Sequence, residues 1–301
     1  MEILVTGANG FLGKSIVNEL SEGNIISSLS RTSKDYKVSL DIKSPNFLQK
    51  FDLVIHAAGK AHSIPKNAVD KKEFFDVNVT GTLNLLKGLE KVGVPDQFVF
   101  VSSVSVYGRE SGININEEHV LQAADAYGLS KIEAEVLVME WCKKHNVVCT
   151  ILRLPLLVGE NPPGNLGIMI KAIDKGYYFN IGGGKARKSM VLLQDVAEFI
   201  PKVAAFGGIY NLTDSFHPNF LELSSVISKQ KNKKIPFDLP LIVAKVLGFV
   251  GDLLGSNAPI NSNKIKKIIS DLTFDDTKAR KQLEWNPHPV LEYLKNNSLV
   301  H

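Results

Sequence analysis

The chain has 301 residues, 44% of them hydrophobic and 22% charged, and carries a formal net charge of +4. Such a length supports a substantial core in one large domain or two coupled ones, and the composition excludes a disordered, fibrous or low-complexity chain. The mild positive balance is dispersed and requires no nucleic-acid partner.

From the N-terminus, the β-branched run Glu2–Thr6 reads as a strand and Phe11–Leu20 as a helix. A strand opening at Glu2 leaves no room for a signal peptide, so a cytoplasmic protein is expected. Residues 24–30 and 51–56 read as further strands, residues 76–92 as a helix, and residues 97–102 as a buried strand. Residues 127–145 form a long helix and residues 147–152 another strand. This alternation predicts an α/β fold, a parallel, doubly wound sheet with helices on both faces.

After Pro155 the pattern changes. Residues 159–167 hold two prolines and three glycines and read as a loop. Residues 185–191 and 216–219 look irregular, and the last third reads as helices with few strands. The expected division places a nucleotide-binding domain in residues 1–158 and 191–213. Residues 159–190 and 214–301 form a smaller, mostly helical substrate lobe over the carboxyl edge of the sheet.

The longest apolar run, residues 239–254, is broken by Lys245, Gly248, Gly251 and Asp252 and is too short to span a bilayer. A buried helix is expected there, with a surface touching membrane or a lipid-linked substrate as the second reading. The lysine clusters at residues 231–234 and 264–267 read as solvated helix ends. Cys142 and Cys149 stand in no CxxC or metal-ligand spacing and read as reduced thiols, and His62, His119 and His217 form no metal spacing, so no metal is expected.

Three features carry chemistry. Gly7, Gly10 and Gly13 lie between the first strand and first helix, where a tight turn and a helix N-terminus suit a pyrophosphate. Tyr127 and Lys131 are four residues apart on one helix and share a face. A cation beside the phenol stabilises phenolate and is expected to lower its pKa, fitting Tyr127 as a proton donor and acceptor. Finally, the second strand ends in Ser28-Leu29-Ser30-Arg31 without the carboxylate that holds the ribose 2′-OH of NAD. Arg31 suits a 2′-phosphate, so NADP is preferred over NAD.

The spacing Gly7-x-x-Gly10-x-x-Gly13 behind Thr6, His56-Ala-Ala-Gly59, the stretch from Asn78 to Leu83, and Ser103 upstream of Tyr127 and Lys131 together resemble the extended short-chain dehydrogenase/reductases of the NAD-dependent epimerase/dehydratase type. The resemblance implies a Rossmann-like fold and a catalytic set of Ser103, Tyr127 and Lys131, Lys131 also holding the cofactor ribose. It implies cofactor contacts from Gly7, Asn9, Gly10, Phe11, Leu12, Gly13, Arg31, Asp41, Ile42, Ala57, Ala58, Gly59, Asn78, Tyr127, Lys131 and Leu154. Substrate contacts are implied for Ser103, Asn165, Arg187 and Lys188, the last two facing a nucleotide diphosphate.

Val104 and Ser105 stand where the family's dehydratases have two carboxyls, which argues against dehydration. Leu156 stands where many UDP-galactose epimerases have asparagine. Residues 161–166 and 273–285 resemble a subgroup of reductases and epimerases of UDP-N-acetylated amino sugars used in surface polysaccharides. The expected activity is reduction of a UDP-4-keto-(6-deoxy) amino sugar. The alternative is a UDP-N-acetylhexosamine 4-epimerase with tightly bound NAD, and a non-catalytic nucleotide sensor is more distant. A homodimer is implied, through the helices at residues 76–92 and 127–145.

Overall fold

Short β-branched and aromatic runs alternate with helices through the first half of the chain, and this dictates the architecture of the computed structural model. It describes residues 1–61, 63, 65–253 and 261–297, so His62 and Leu254 lie outside the described residues. Seven strands pair in parallel in the order Tyr36–Lys37, Ile25–Ser30, Glu2–Thr6, Leu53–His56, Gln97–Ser103, Val148–Leu154 and Gly208–Asn211. The order runs outward from the first strand in both directions, so a crevice opens at the carboxyl ends beside that strand. This is the expected Rossmann-like, doubly wound sheet.

Both faces of the sheet are covered. On one, Ile3, Val5, Ile55 and Val99 pack against Ile16 of helix Phe11–Leu20 and Val196 and Ile200 of helix Leu193–Phe206. On the other, Leu4, Val54, Phe98 and Phe100 pack against Leu85 and Leu89 of helix Gly81–Glu90 and Val138 of helix Ala126–His145. Strands buried on both faces read as continuous apolar runs, which is why they were legible.

Several boundaries differ from expectation. The segment foreseen as one helix from residue 76 starts earlier, at Ala68–Phe75, and passes through a π turn at Asp76–Thr80 before Gly81–Glu90. The stretch 159–167 is not wholly loop, because helix Gly164–Asp174 begins inside it behind Pro163. Proline preset at the N-cap and Leu166, Met169, Ile170 and Ile173 on one buried side outweigh the glycines. Residues 185–191 end in a short strand, Met190–Leu192, paired with Leu156–Val158. In the last third, Asp238–Leu239 and Leu272–Phe274 pair with Asn180–Ile181 and Gly112–Ile115.

A third core of Leu166, Ile170, Leu223, Ile227, Val290 and Leu294 lies in the second part of the chain. Ala279, Leu283 and Trp285, counted with the lobe by sequence, instead join the core beneath the large sheet, and Trp285 Nε1 donates to Thr213 O at 3.0 Å. Helix Leu241–Leu253 is not buried as expected: Ala244, Gly248 and Gly251 are its buried residues.

Candidate active site

The glycine turn is built for close approach. Gly7 has φ +67, and a Cβ there would stand 2.7 Å from Ala58 N. A Cβ on Gly13 would stand 2.1 Å from Gly7 O, so the helix Phe11–Leu20 begins directly against the turn. Its N-cap, Gly10, has no side chain to cap the first turn, which leaves the positive helix end and its N–H groups for an anion. Phe11 and Leu12 lie in that turn, Leu12 buried. A pyrophosphate fits this cradle.

Asn9 ties the turn to the end of the second strand, donating from Nδ2 to Ser30 Oγ (3.1 Å) and Thr32 Oγ1 (2.7 Å). Arg31 lies exposed between those two residues. The nearby acid in sequence, Asp35, accepts from Ser28 N (2.8 Å) and Ser28 Oγ (2.7 Å), which hold its carboxyl below the usual carboxylate range. Asp41 accepts from Ser39 Oγ at 2.7 Å, and Ile42 beside it is exposed. Gly81 packs under Leu40, which places this pair over the helix that Gly81 starts.

Strand Gln97–Ser103 ends at the crevice, and the turn Val104–Tyr107 follows. Ser103 Oγ accepts from Ser105 N at 3.2 Å and so caps that turn. Helix Ala126–His145 starts beside it, capped by Asp125, whose Oδ1 accepts from Gly128 N at 3.0 Å. Gly128 permits the contact: a Cβ there would stand 2.5 Å from Ala123 Cβ and 2.9 Å from Ser105 O. The Tyr127 phenol, in the first turn, is thereby brought beside the Ser103 hydroxyl.

The electrostatics differ from expectation. Burial pushes the Tyr127 phenol above its ordinary pKa, the neighbouring Ser103 hydroxyl opposing and Asp125 adding to the rise. Lys131 Nζ turns to the backbone, donating to Val101 O (2.7 Å) and sitting 4.4 Å from the Phe100 ring centre. Burial brings Lys131 itself down to about 8, with Glu135 opposing.

Behind these side chains runs a buried polar chain that joins Asn78, expected from sequence as a cofactor contact, to Ser130, which sequence did not single out. Asn78 donates to Ser130 Oγ (2.8 Å) and Lys60 O (3.2 Å) and accepts from Lys60 N (2.7 Å). It thereby fixes the backbone after Gly59, where a Cβ would stand 3.1 Å from Asn78 Oδ1 and 3.5 Å from Lys131 Nζ. Ser130 Oγ in turn donates to Tyr127 O at 2.8 Å. His56 joins Thr6 Oγ1 (2.6 Å) to Thr82 Oγ1 (2.9 Å), and Ala58 N donates to Thr6 Oγ1 (3.1 Å). Ala57, Ala58 and Gly59 are thus held against the glycine turn. Leu154 ends its strand buried, paired with Ser103.

The implied substrate residues separate. Arg187 is exposed and lines a cavity with Arg280, His217, Asn114 and Phe216. His217 and Ser215 both have positive φ, +57 and +58, at its lip. Burial lowers the His217 pKa, and its Nδ1 lies 3.0 Å from Ser189 Oγ. Sequence read His217 as an ordinary loop residue and did not single out Arg280; the cavity is assembled from distant segments, so no spacing signals it. Lys188 lies apart from it, its Nζ donating to Lys267 O and Ser270 O, both at 2.9 Å. Asn165 is exposed on the first turn of helix Gly164–Asp174. Among the described residues, no group of three or more His, Cys, Asp or Glu is placed to hold a metal.

Residues 3–213, which contain both the cradle and the Ser103–Tyr127–Lys131 set, match the model of the NAD dependent epimerase/dehydratase family. The chain belongs to this family. It is 30% identical over 296 residues to an Escherichia coli O157:H7 N-acetyl-α-D-glucosaminyl-diphospho-ditrans,octacis-undecaprenol 4-epimerase, covering 92% of this chain and 88% of that one. It is 32% identical over 146 residues to a Pseudomonas aeruginosa GDP-6-deoxy-D-mannose reductase, covering 46% of each. The fold matches that of a UDP-glucose 4-epimerase from Thermotoga maritima with a TM-score of 0.76 at 22% identity, covering 98% of this chain and 96% of that one. Family membership makes this chain an enzyme of the epimerase and reductase type.

Proposed function

We propose that this protein is an NADP-dependent reductase of a 4-keto amino sugar carried on a diphosphate, with UDP as the carrier. The observation that carries the reading is the end of the second strand. Arg31 is exposed there between two hydroxyls held by Asn9, and Asp35 is engaged by Ser28. A guanidinium suits a 2′-phosphate, and a cofactor that exchanges suits net reduction.

NADPH supplies a hydride when bound. The chain's residues do the rest. Ser103 and Tyr127 stand side by side and act on one sugar oxygen together, and Tyr127 Oη gives that oxygen its proton. A phenol raised by burial holds its proton at rest, the state in which a reductive turnover begins. Lys131 holds the ribose hydroxyls, and Arg187 faces the diphosphate.

The second reading is a 4-epimerase that keeps NAD bound, favoured by the 4-epimerase relative matched over 92% of the chain. Binding of NADPH and NADH to purified protein, followed by the loss of NADPH absorbance with a UDP-4-keto amino sugar, separates the two. The expected result is exchangeable NADPH preferred over NADH, a preference that Arg31→Ala reduces about tenfold or more. Tyr127→Phe is expected to cost about 10²–10⁴ in turnover with NADPH binding retained. Tightly held NAD, indifferent to Arg31→Ala, overturns the reductase for the epimerase. Turnover unchanged in Tyr127→Phe overturns both.

A further inference from the structure

Helix Leu241–Leu253 packs on the protein by a narrow stripe of small residues, Ala244, Gly248 and Gly251. A Cβ on Gly248 would stand 2.6 Å from Ile265 Cδ1 and 3.2 Å from Ser262 N, so helix Ser262–Ile269 lies directly against it. Apart from Lys245 and Asp252, the rest of the helix is large, apolar and open. Ile242 is 78% exposed, Leu253 74%, Phe249 62% and Val246 58%. The ribbon of Asp238–Leu239 on Asn180–Ile181 brings Phe237, 70% exposed, to the start of the helix. Single exposed apolar residues are ordinary, but a whole helix of them marks a docking surface.

The charge around it says what docks. Residues 229–267 hold eight lysines and two aspartates, so this segment's net charge of +6 exceeds the +4 of the whole chain. Asp252 accepts from Ser262 N and Asp238 from Gly183 N, so both carboxylates are engaged locally. Lys267 pairs with Glu110 at 2.9 Å and Lys233 lies 3.8 Å from Asp174, exposed pairs that a lipid phosphate can displace. A second copy of the chain fits poorly, because a twofold contact would set this positive patch against itself. Among the described residues no helix is long and apolar enough to cross a membrane. An apolar helix preceded in the chain by four lysines, and packed against a helix that carries three more, instead lies in the plane of an anionic bilayer, side chains at the acyl boundary and ammonium groups at the phosphates.

We propose that helix Leu241–Leu253, with the lysines of residues 229–234 and 264–267, docks this enzyme on the anionic phospholipid surface of a membrane. The proposal stands apart from the choice of reductase or epimerase. The test is sedimentation of the full chain with phosphatidylcholine vesicles, with and without roughly one-third phosphatidylglycerol. The expected result is binding that needs the anionic lipid and weakens with salt. Val246→Glu with Phe249→Glu should weaken it by more than about tenfold, and each of Lys231→Gln, Lys234→Gln and Lys266→Gln by about fivefold. NADPH affinity and the mass in solution should stay unchanged. Absence of vesicle binding, binding indifferent to both sets of substitutions, or a fall in solution mass in the glutamate variant would each overturn the proposal, the last by assigning the face to a second copy.

Discussion

His56 is uncharged at neutral pH although both its ring nitrogens have partners. The hydrogen of Thr82 Oγ1 goes to Asn78 O (2.6 Å), so that oxygen is left to accept from His56 Nε2. Thr6 Oγ1 accepts from Ala58 N and gives its own hydrogen to His56 Nδ1. One tautomer of neutral imidazole therefore satisfies the whole chain of bonds, and a second proton has no acceptor. Burial first, then the charge of Lys131, lowers the pKa from 6.5 to about 3. Between those values the unfolded chain binds a proton that the folded chain refuses. Stability is therefore complete above pH 6.5 and is lost as pH falls toward 3, by on the order of 4 kcal/mol. Urea midpoints measured between pH 7 and pH 4 should fall in the wild type, and with a shallower slope in His56→Gln; equal slopes would refute the assignment. Tyr127 and Lys131 were legible as a pair because their spacing is local, one turn apart on one helix, whereas the turn of Lys131 Nζ to Val101 O was not. The bonds of His56 were not, because its partners lie 50 and 26 residues away.

Helix Ala126–His145, which carries Tyr127 and Lys131, is tied to the sheet through a buried ion pair. Arg153, on strand Val148–Leu154, donates to Glu135 Oε2 at 2.8 Å and Oε1 at 3.2 Å, and its other amino group reaches Tyr107 Oη at 3.1 Å. Ser102 Oγ also donates to Glu135. Glu135 is fully buried and Arg153 nearly so. Such a pair adds little over apolar packing, but removing one member strands the other. Glu135→Ala should cost about 3–5 kcal/mol in urea unfolding, and Arg153→Met combined with Glu135→Leu should cost clearly less than the single change. A double variant as unstable as the single one would contradict this. Sequence spacing offered no sign of the pair, since it joins a helix to the strand behind it. Hydrophobic periodicity found the central strands and helices, whereas the start of helix Gly164–Asp174 was masked by its glycines.

At the scale of the molecule, we propose a homodimer through the helices Gly81–Glu90 and Ala126–His145. Leu83, Leu129 and Val136 remain 36%, 38% and 43% exposed on them. Sedimentation equilibrium should return twice the 33.1 kDa chain mass, and Val136→Asp should shift it toward one chain. A mass of 33.1 kDa for the wild type would refute the dimer.

By itself the sequence determined what short-range chemistry specifies. The alternation of elements, the glycine turn at Gly7–Gly13, the one-turn spacing of Tyr127 and Lys131 and the missing carboxylate at Arg31 are each set by residues close together in the chain. Tertiary structure decided which distant groups meet. It set Ser103 against Tyr127 across the Gly128 contact, turned Lys188 away from Arg187, and gathered Arg187, His217 and Arg280 around one cavity. It also decided that residues 241–253 face outward. An apolar run has the same hydropathy buried or exposed, and only the packing of Ile265 against Gly248 settles which side of the helix the protein covers.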